Sequence, residues 1–245
     1  MSENRNGKNE NLKYLGRLFT LSTANDTDGD GEDQKASFFA DWIFQKVGFE
    51  VYTEFGIDDF MSNPLENPFH TAIYTFGLKQ NIPMKSEKLR SEIILEINNF
   101  EMSQDFQLEW CYGGYYTHGK ILSGYTNNGQ ILGAGSGSLG NSQILSYILY
   151  HPKGNINFFI HRYCPNNNYI FNKAVYDTAK VYPLGEGYWS DYETYLIFGL
   201  QSDNFIKSNL DISCGIDLIL QRYNMYIWYN NNIQFSFNLG AKYIF

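Results

Sequence analysis

The feature that most constrains the fold is an alternation of apolar and polar residues in short segments along most of the chain. In VGFEVYTEF, residues 47–55, Phe49, Val51 and Phe55 alternate with polar neighbours. Successive side chains of a β-strand point to opposite faces, so this pattern predicts strands with one apolar and one polar face. Nine such segments are predicted: 36–44, 47–55, 70–78, 89–98, 142–151, 155–162, 192–201, 210–221 and 233–245.

The composition agrees with an all-β protein. Among 245 residues there are 20 Tyr, 19 Phe, 4 Trp and 22 Gly, and no run approaches the roughly 20 apolar residues of a transmembrane helix. Aromatic-rich and glycine-rich composition is typical of soluble barrels and sandwiches and also of membrane barrels. The composition alone leaves these alternatives open.

The connections between the predicted strands favour the membrane barrel. Short connections at 45–46 and 152–154 alternate with long ones at 57–69, 100–141 and 164–189, and 81–88 is intermediate. Outer-membrane barrels have short periplasmic turns and long extracellular loops. The predicted fold is therefore an antiparallel transmembrane β-barrel of outer-membrane type in residues 36–245, in contact with outer-membrane lipid. Residues 1–35 are predicted to be a polar N-terminal segment, with 11–19 a candidate further strand.

The last eight residues, NLGAKYIF, resemble the C-terminal signal that barrel-assembly machinery reads, with Gly240, Tyr243 and Phe245 at the signal positions. If Phe245 is periplasmic, the first predicted strand starts outside, whereas an even barrel keeps both termini inside. The first 22 residues contain no apolar signal-peptide core. We therefore expect the chain to be the C-terminal half, about 9–10 strands, of a larger barrel.

Segments 36–60 and 115–147, together with the terminal strand, resemble the Wzi-type capsule-assembly family of outer-membrane proteins. The most specific part is YYTHGKILSGYTNNGQILGAGSGSLGNSQILSY, residues 115–147. The resemblance implies a bacterial outer-membrane barrel that binds or anchors capsular polysaccharide at the cell surface. The chemistry would be recognition and not catalysis, with sugar rings stacked on aromatic faces.

The candidate polysaccharide-binding residues form two groups. The first group lies towards the outer end of the second predicted strand, and the second group lies in the loop 100–141. For the carboxylates the alternative is an ion network with Arg90 or Arg162, and for the aromatics it is packing of a plug or anchoring at the membrane surface. The candidates are Glu50, Tyr52, Glu54, Asp58, Asp59, Trp110, Tyr115, Tyr116, His118 and Tyr125.

Several other functions are disfavoured. A net charge of −8 without Lys or Arg clusters argues against nucleic acid. Gly135, Gly137 and Gly140 match G-x-G-x-x-G, but no acid follows about 20 residues on, so we interpret them as a loop entering a strand. The acidic segment 26–31 lacks the twelfth-position Glu of a calcium loop.

We therefore expect no metal, no cofactor and no enzyme activity. The alternatives are a general or substrate-specific porin and, less favoured, a barrel hydrolase, for which no G-x-S-x-G elbow is present. Cys111 and Cys164 are either free thiols or a disulfide.

Overall fold

The chain forms an antiparallel β-sheet. The computed structural model describes residues 35–58, 69–103, 114–117, 124–128, 130–137, 139–166, 193–207, 209–222 and 230–243, which contain strands and no helix. The strands are β1 (Lys35–Phe44), β2 (Phe49–Asp58), β3 (Ile73–Ile82), β4 (Arg90–Asn99), β5 (Thr126–Asn127), β6 (Gln130–Ile131), β7 (Asn141–His151), β8 (Gly154–Cys164), β9 (Thr194–Lys207), β10 (Leu210–Arg222) and β11 (Asn232–Tyr243).

Nine of these strands form one sheet in chain order, β1-β2-β3-β4-β7-β8-β9-β10-β11, and each pair of neighbours is antiparallel. All nine predicted strands are confirmed, as is the all-β class. Strand β9 continues to Lys207, beyond the predicted end at 201. In the described part of the chain, no helix is long and apolar enough to cross a membrane.

The turns and loops alternate in length around this sheet. The strand ends that are joined by few residues, such as Phe44 to Phe49 and His151 to Gly154, lie at one end of the sheet, and the strand ends that are joined by many residues, such as Asn99 to Asn141 and Cys164 to Thr194, lie at the other. We call these the short-turn end and the long-loop end. The alternation expected from the sequence is present through the whole sheet.

The two faces of the sheet are reversed in burial relative to a water-soluble protein. Leu145, Ile160 and Phe198 lie side by side on the apolar face and are 48%, 45% and 40% exposed. Asn98 and Ser142, partners on the opposite face, are only 8% and 4% exposed. Soluble proteins rarely expose a continuous apolar surface of this extent. The polar face is therefore the more enclosed one, and the apolar face is open.

Two glycines on the polar face allow aromatic rings to lie flat against the backbone. Tyr52 is the cross-strand partner of Gly77, and a Cβ at Gly77 would lie 1.9 Å from the Tyr52 Cζ atom. Phe159 and Gly199 repeat this arrangement on β8 and β9, with a corresponding distance of 2.1 Å. Each aromatic ring fills the space that a side chain at the glycine position would otherwise occupy.

Strands β1 and β11 are the edges of the described sheet. Both carry large exposed apolar side chains, among them Trp42 on β1 and Phe235 on β11. Because each edge strand has a neighbour on one side only, the sheet is open as described.

Candidate functional site

The loop between β4 and β7 folds back onto the polar face at the long-loop end. Its Tyr115 and Tyr116 are buried with Ile73 of β3 and with Phe100 and Met102, which follow β4. The Phe100 and Tyr116 ring centroids are 5.4 Å apart, and the Tyr115 and Tyr116 rings meet edge-to-face at 5.3 Å. This aromatic cluster fixes the loop against the sheet.

The β5–β6 ribbon extends the loop from this cluster. The backbone N–H of Tyr125 donates to the Tyr116 carbonyl at 2.9 Å, and the Tyr125 ring stacks on the Tyr116 ring at 6.1 Å between centroids. The Tyr116 hydroxyl accepts a hydrogen bond from the Ala134 N–H at 3.0 Å. Asn128 has a positive φ of 50° in the turn of the ribbon. The ribbon therefore positions one outer ring, Tyr125, over two buried ones.

A cavity of about 500 Å3 lies between this loop and strands β1 to β4, within the size range of small-molecule sites. Among the described residues, its polar lining includes one cation, two carboxylates and an amide, and its aromatic lining comes mainly from the loop. The lining includes Lys35, Ser37, Glu54, Thr75, Glu96, Asn98, Phe100, Tyr115, Tyr116 and Tyr125.

A chain of hydrogen bonds orders the floor of the cavity. The Thr75 hydroxyl donates to the Asn98 side-chain oxygen at 2.6 Å, and the Asn98 amide donates to Glu96 at 3.0 Å. Glu96 also accepts a 2.7 Å hydrogen bond from the Tyr52 hydroxyl. Tyr52 in turn lies under the Lys79 ammonium, 4.9 Å from the ring centroid. Such a network fixes the orientation of the Glu96 side chain.

The wall of the cavity on β1 is a charged pair. Lys35 Nζ lies 3.1 Å from Asp58 Oδ1, and both side chains are nearly buried. The same ammonium lies 5.4 Å from the centroid of the Tyr115 ring. Burial raises the pKa of Tyr115 above its ordinary range, with the nearby Asp58 charge adding to the effect, and burial also raises the pKa of Tyr116. Both phenols are therefore neutral hydrogen-bonding groups near neutral pH.

The predicted site residues are only partly brought together. Glu54, Tyr115, Tyr116 and Tyr125 line the cavity, and Asp58 supports it through Lys35. The prediction that Glu50 lies towards the outer end of its strand is wrong, because Glu50 lies next to the 45–48 turn at the short-turn end. Tyr52 acts beneath the cavity as a donor to Glu96. Candidates that lie outside the described residues are Asp59, Trp110, His118, Phe245 and the cysteine Cys111.

Two of the described candidate carboxylates pair with lysines. Glu50 pairs with Lys79 at 2.6 Å, and Asp58 pairs with Lys35. The expected partner Arg162 lies on the apolar face, in register with Leu196, where its guanidinium donates to Gln143 at 3.0 Å and to Asn141. The alternation of β8 places Arg162 on the same face as Ile160, opposite the polar face that carries the candidate carboxylates.

Sequence reasoning missed Lys35, Glu96 and Asn98 in the cavity. The alternation of apolar and polar residues in β4 could have identified Glu96 and Asn98, because both lie on the polar face of that strand with Glu92. It also missed the β5–β6 ribbon, although Asn128 and Gly129 form the Asn-Gly pair typical of two-residue hairpin turns. As predicted, the glycine segment is a loop entering a strand: Gly137 has a φ of 77° and the chain continues into β7.

A second polar cluster lies at the long-loop end of β8 to β10. The Tyr195 hydroxyl and the Gln221 amide both donate to Glu193, at 2.7 and 2.8 Å. The rings of His161, Tyr163 and Tyr195 form a stacked row at 5.9 and 6.0 Å between centroids. Aromatic and hydrogen-bonding groups therefore continue along the polar face beyond the cavity.

Comparison of the chain with protein-family models, with curated proteins and with solved structures gave no match. The resemblance to the Wzi-type family stays a prediction from the sequence.

Proposed function

We propose that the sheet is part of the wall of a bacterial outer-membrane β-barrel, and that its polar face binds a surface polysaccharide such as capsule. The observation that carries the proposal is the reversed burial of the two faces. An exposed apolar face fits contact with lipid, and an enclosed polar face with a loop folded onto it fits a lumen that holds a polar ligand. The protein would retain or assemble the polysaccharide without transforming it.

The height of the apolar face supports contact with a bilayer. On β10, every second residue from Leu210 to Leu220 belongs to this face. Ten steps of about 3.4 Å give roughly 34 Å along the strand, or about 24 Å if the strand is tilted by about 45°. This matches the apolar band of about 25 Å in outer-membrane barrels.

Aromatic rings flank the apolar face, as expected for side chains at the two lipid interfaces. At the short-turn end of β1, Trp42 and Phe44 stack at 5.2 Å between centroids. At the long-loop end of β2, Phe55 meets Phe69 edge-to-face at 6.2 Å. Lipid offers no hydrogen bonds to an open sheet edge, so in this proposal β1 and β11 pair with further strands of a larger barrel.

The cavity under the loop supports the choice of a glycan as ligand. Sugars present hydroxyl groups around a ring and C–H groups on its faces, so they are bound by amides and carboxylates beside aromatic faces. Glu54, Glu96 and Asn98 supply the polar groups, and Tyr125, 46% exposed, supplies an accessible ring face. Tyr115 and Tyr116, each 6% exposed, position Tyr125 from behind.

The experiment measures binding of fluorescently labelled surface polysaccharide, extracted from the source cells, to vesicles that carry the full chain. We expect Tyr125→Ala to weaken binding roughly two- to tenfold, since an aromatic contact contributes about 0.5–1.5 kcal/mol. Tyr150→Ala is the matched control, because Tyr150 is similarly exposed on the polar face but lies next to the turn at 152–153.

The proposal would be contradicted if vesicles that carry the unmodified chain bind no polysaccharide. It would also be contradicted if Tyr125→Ala, like the control Tyr150→Ala, binds the polysaccharide as well as the unmodified chain does. The two alternative functions give different signals in the same material. A porin would show steady ion conductance in planar bilayers that added polysaccharide does not reduce. A hydrolase would release reducing ends from the polysaccharide over time.

A further inference from the structure

We infer that the cavity under the loop selects a sugar unit without negative charge, and binds more tightly a unit that carries a free ammonium group. The inference rests on the proposed function, because it assumes that the ligand is a glycan. It concerns the charge of the unit in contact with the cavity and not the rest of the polymer.

The charge of the cavity is the first argument. Two carboxylates, Glu54 and Glu96, line it together with one cation, Lys35. Lys35 already pairs with the nearly buried Asp58 at 3.1 Å. Among the described residues, the cavity and its immediate support therefore contain three acids and one lysine, and the field of these four groups repels an anion.

The state of each carboxylate is the second argument. Glu96 accepts hydrogen bonds from Tyr52 and Asn98, so much of its hydrogen-bonding capacity is used inside the protein. Glu54 is exposed on β2 and accepts no hydrogen bond from the described residues. Glu54 is thus the acceptor that a ligand would use, and a hydrogen bond from an ammonium group to a carboxylate is about twice as strong as one between neutral groups.

The position of Tyr125 is the third argument. The exposed ring lines the same cavity as Glu54 and stacks on Tyr116. A ring face attracts cations through its quadrupole, while it repels a carboxylate placed over it. Both Glu54 and Tyr125 would therefore attract the ammonium group of an amino sugar, and both would repel the carboxylate of a uronic acid.

The test compares three oligosaccharide probes of similar length on the full chain in detergent. The probes are an N-acetylated chito-oligosaccharide, the same oligosaccharide without its acetyl groups, and an oligogalacturonate. We expect the amine probe to bind about two- to fivefold more tightly than the acetylated probe at low salt, and the advantage to shrink with added salt. The oligogalacturonate should bind most weakly.

Two variants assign the selectivity to Glu54. Glu54→Gln keeps the shape of the side chain and should abolish the advantage of the amine probe while leaving the acetylated probe bound. Glu54→Lys should raise the affinity for the oligogalacturonate. Glu87→Gln makes the same charge change in the exposed turn between β3 and β4, and should leave the order of the probes unchanged. Circular dichroism establishes that each variant folds.

The outcomes separate this inference from the proposed function. Tighter binding of the oligogalacturonate than of the other probes, or an amine advantage that survives in Glu54→Gln, would overturn the inference while leaving the proposed function in place. Binding of the extracted polysaccharide without binding of any probe would also overturn it. Failure of the extracted polysaccharide and of all three probes to bind would overturn both.

Discussion

The contact between Gly77 and Tyr52 allows a quantitative test of how the polar face is built. We expect Gly77→Ala to destabilise the protein, because the new methyl group would lie 1.9 Å from the Tyr52 Cζ atom and 2.3 and 2.4 Å from its two Cε atoms. Carbon atoms prefer to be about 3.5–4.0 Å apart, so the ring must move by more than about 1 Å. That movement would break the 2.7 Å hydrogen bond from Tyr52 to Glu96.

The magnitude follows from opposing contributions. Overpacking costs about 1–3 kcal/mol, and the lost hydrogen bond to a charged group costs about 1.5 kcal/mol more at a half-buried site. Replacement of a strand glycine by alanine by itself stabilises the folded state by about 0.5–1 kcal/mol. The expected net cost of Gly77→Ala to the free energy of unfolding is therefore about 1.5–4 kcal/mol. In a Tyr52→Ala background the clash is gone, and the same substitution should stabilise by about 0.5–1 kcal/mol.

The assay is equilibrium urea unfolding of the full chain refolded in detergent, followed by tryptophan fluorescence, for the four members of the double-mutant cycle. Gly135→Ala is the control, because no atom lies within 4 Å of a Cβ at that position. The reasoning is refuted if Gly77→Ala has the same effect with and without the Tyr52 ring.

Three further predictions concern the loops at the long-loop end. Tyr116→Ala should release the loop and lower the free energy of unfolding by about 3–5 kcal/mol, as expected for truncation of a buried aromatic side chain. Backbone hydrogen exchange should then become faster in 114–137 and stay unchanged in β10. The buried Thr71 hydroxyl donates a hydrogen bond to the Asp58 carbonyl and accepts one from the Asp58 N–H. Thr71→Val should therefore lower the free energy of unfolding by about 1–3 kcal/mol, and Thr71→Ser should lower it less. Urea unfolding compares the two variants. Burial raises the pKa of Glu101, with the Asn141 and Arg162 side chains opposing this, so the ionised form is unfavourable in the folded state. Glu101→Gln should therefore stabilise the protein more at pH 7 than at pH 4 in paired urea titrations, and a gain that is larger at pH 4 would contradict this.

Much of the sheet could be predicted from the sequence, because alternation is a local property. The pattern in 210–221 specifies both a strand and its two faces without knowledge of its neighbours. The alternating connection lengths likewise follow from the positions of the strands. The face of a side chain such as Glu50 follows from this alternation alone, whereas the end of the strand at which it lies depends on the direction of β2 relative to the long loops.

The cavity could not be predicted, because it depends on contacts between distant segments. Lys35 and Asp58 meet through the register of β1 and β2, and Tyr115 reaches this pair only because its loop folds inward. The pairing of Tyr52 with Gly77 likewise requires the cross-strand register. The sequence identified Tyr115, Tyr116 and Tyr125 as one aromatic group, but their division into two buried rings and one exposed ring is a property of the tertiary structure.

The most direct test of the account asks which solvent contacts each face of the sheet. Cys214 is exposed on the apolar face of β10 and is the partner of Leu239, whereas its neighbour Ser213 belongs to the polar face and is the partner of Gly240. A shift of one residue along a strand moves a side chain to the opposite face. Cys111 and Cys164 are first replaced by Ala. One variant then carries a fluorophore on Cys214, and a second variant carries it on Ser213→Cys in a Cys214→Ser background. The two fluorophores therefore report on the two faces of the sheet from adjacent positions.

The labelled full chain is inserted into vesicles and exposed to brominated lipid and, separately, to aqueous iodide. The account predicts that the probe at 214 is quenched by bromine on the acyl chains and not by iodide, and that the probe at 213 shows the opposite behaviour. Quenching of both probes by iodide, with no quenching by brominated lipid at 214, would contradict the claim that the apolar face contacts lipid.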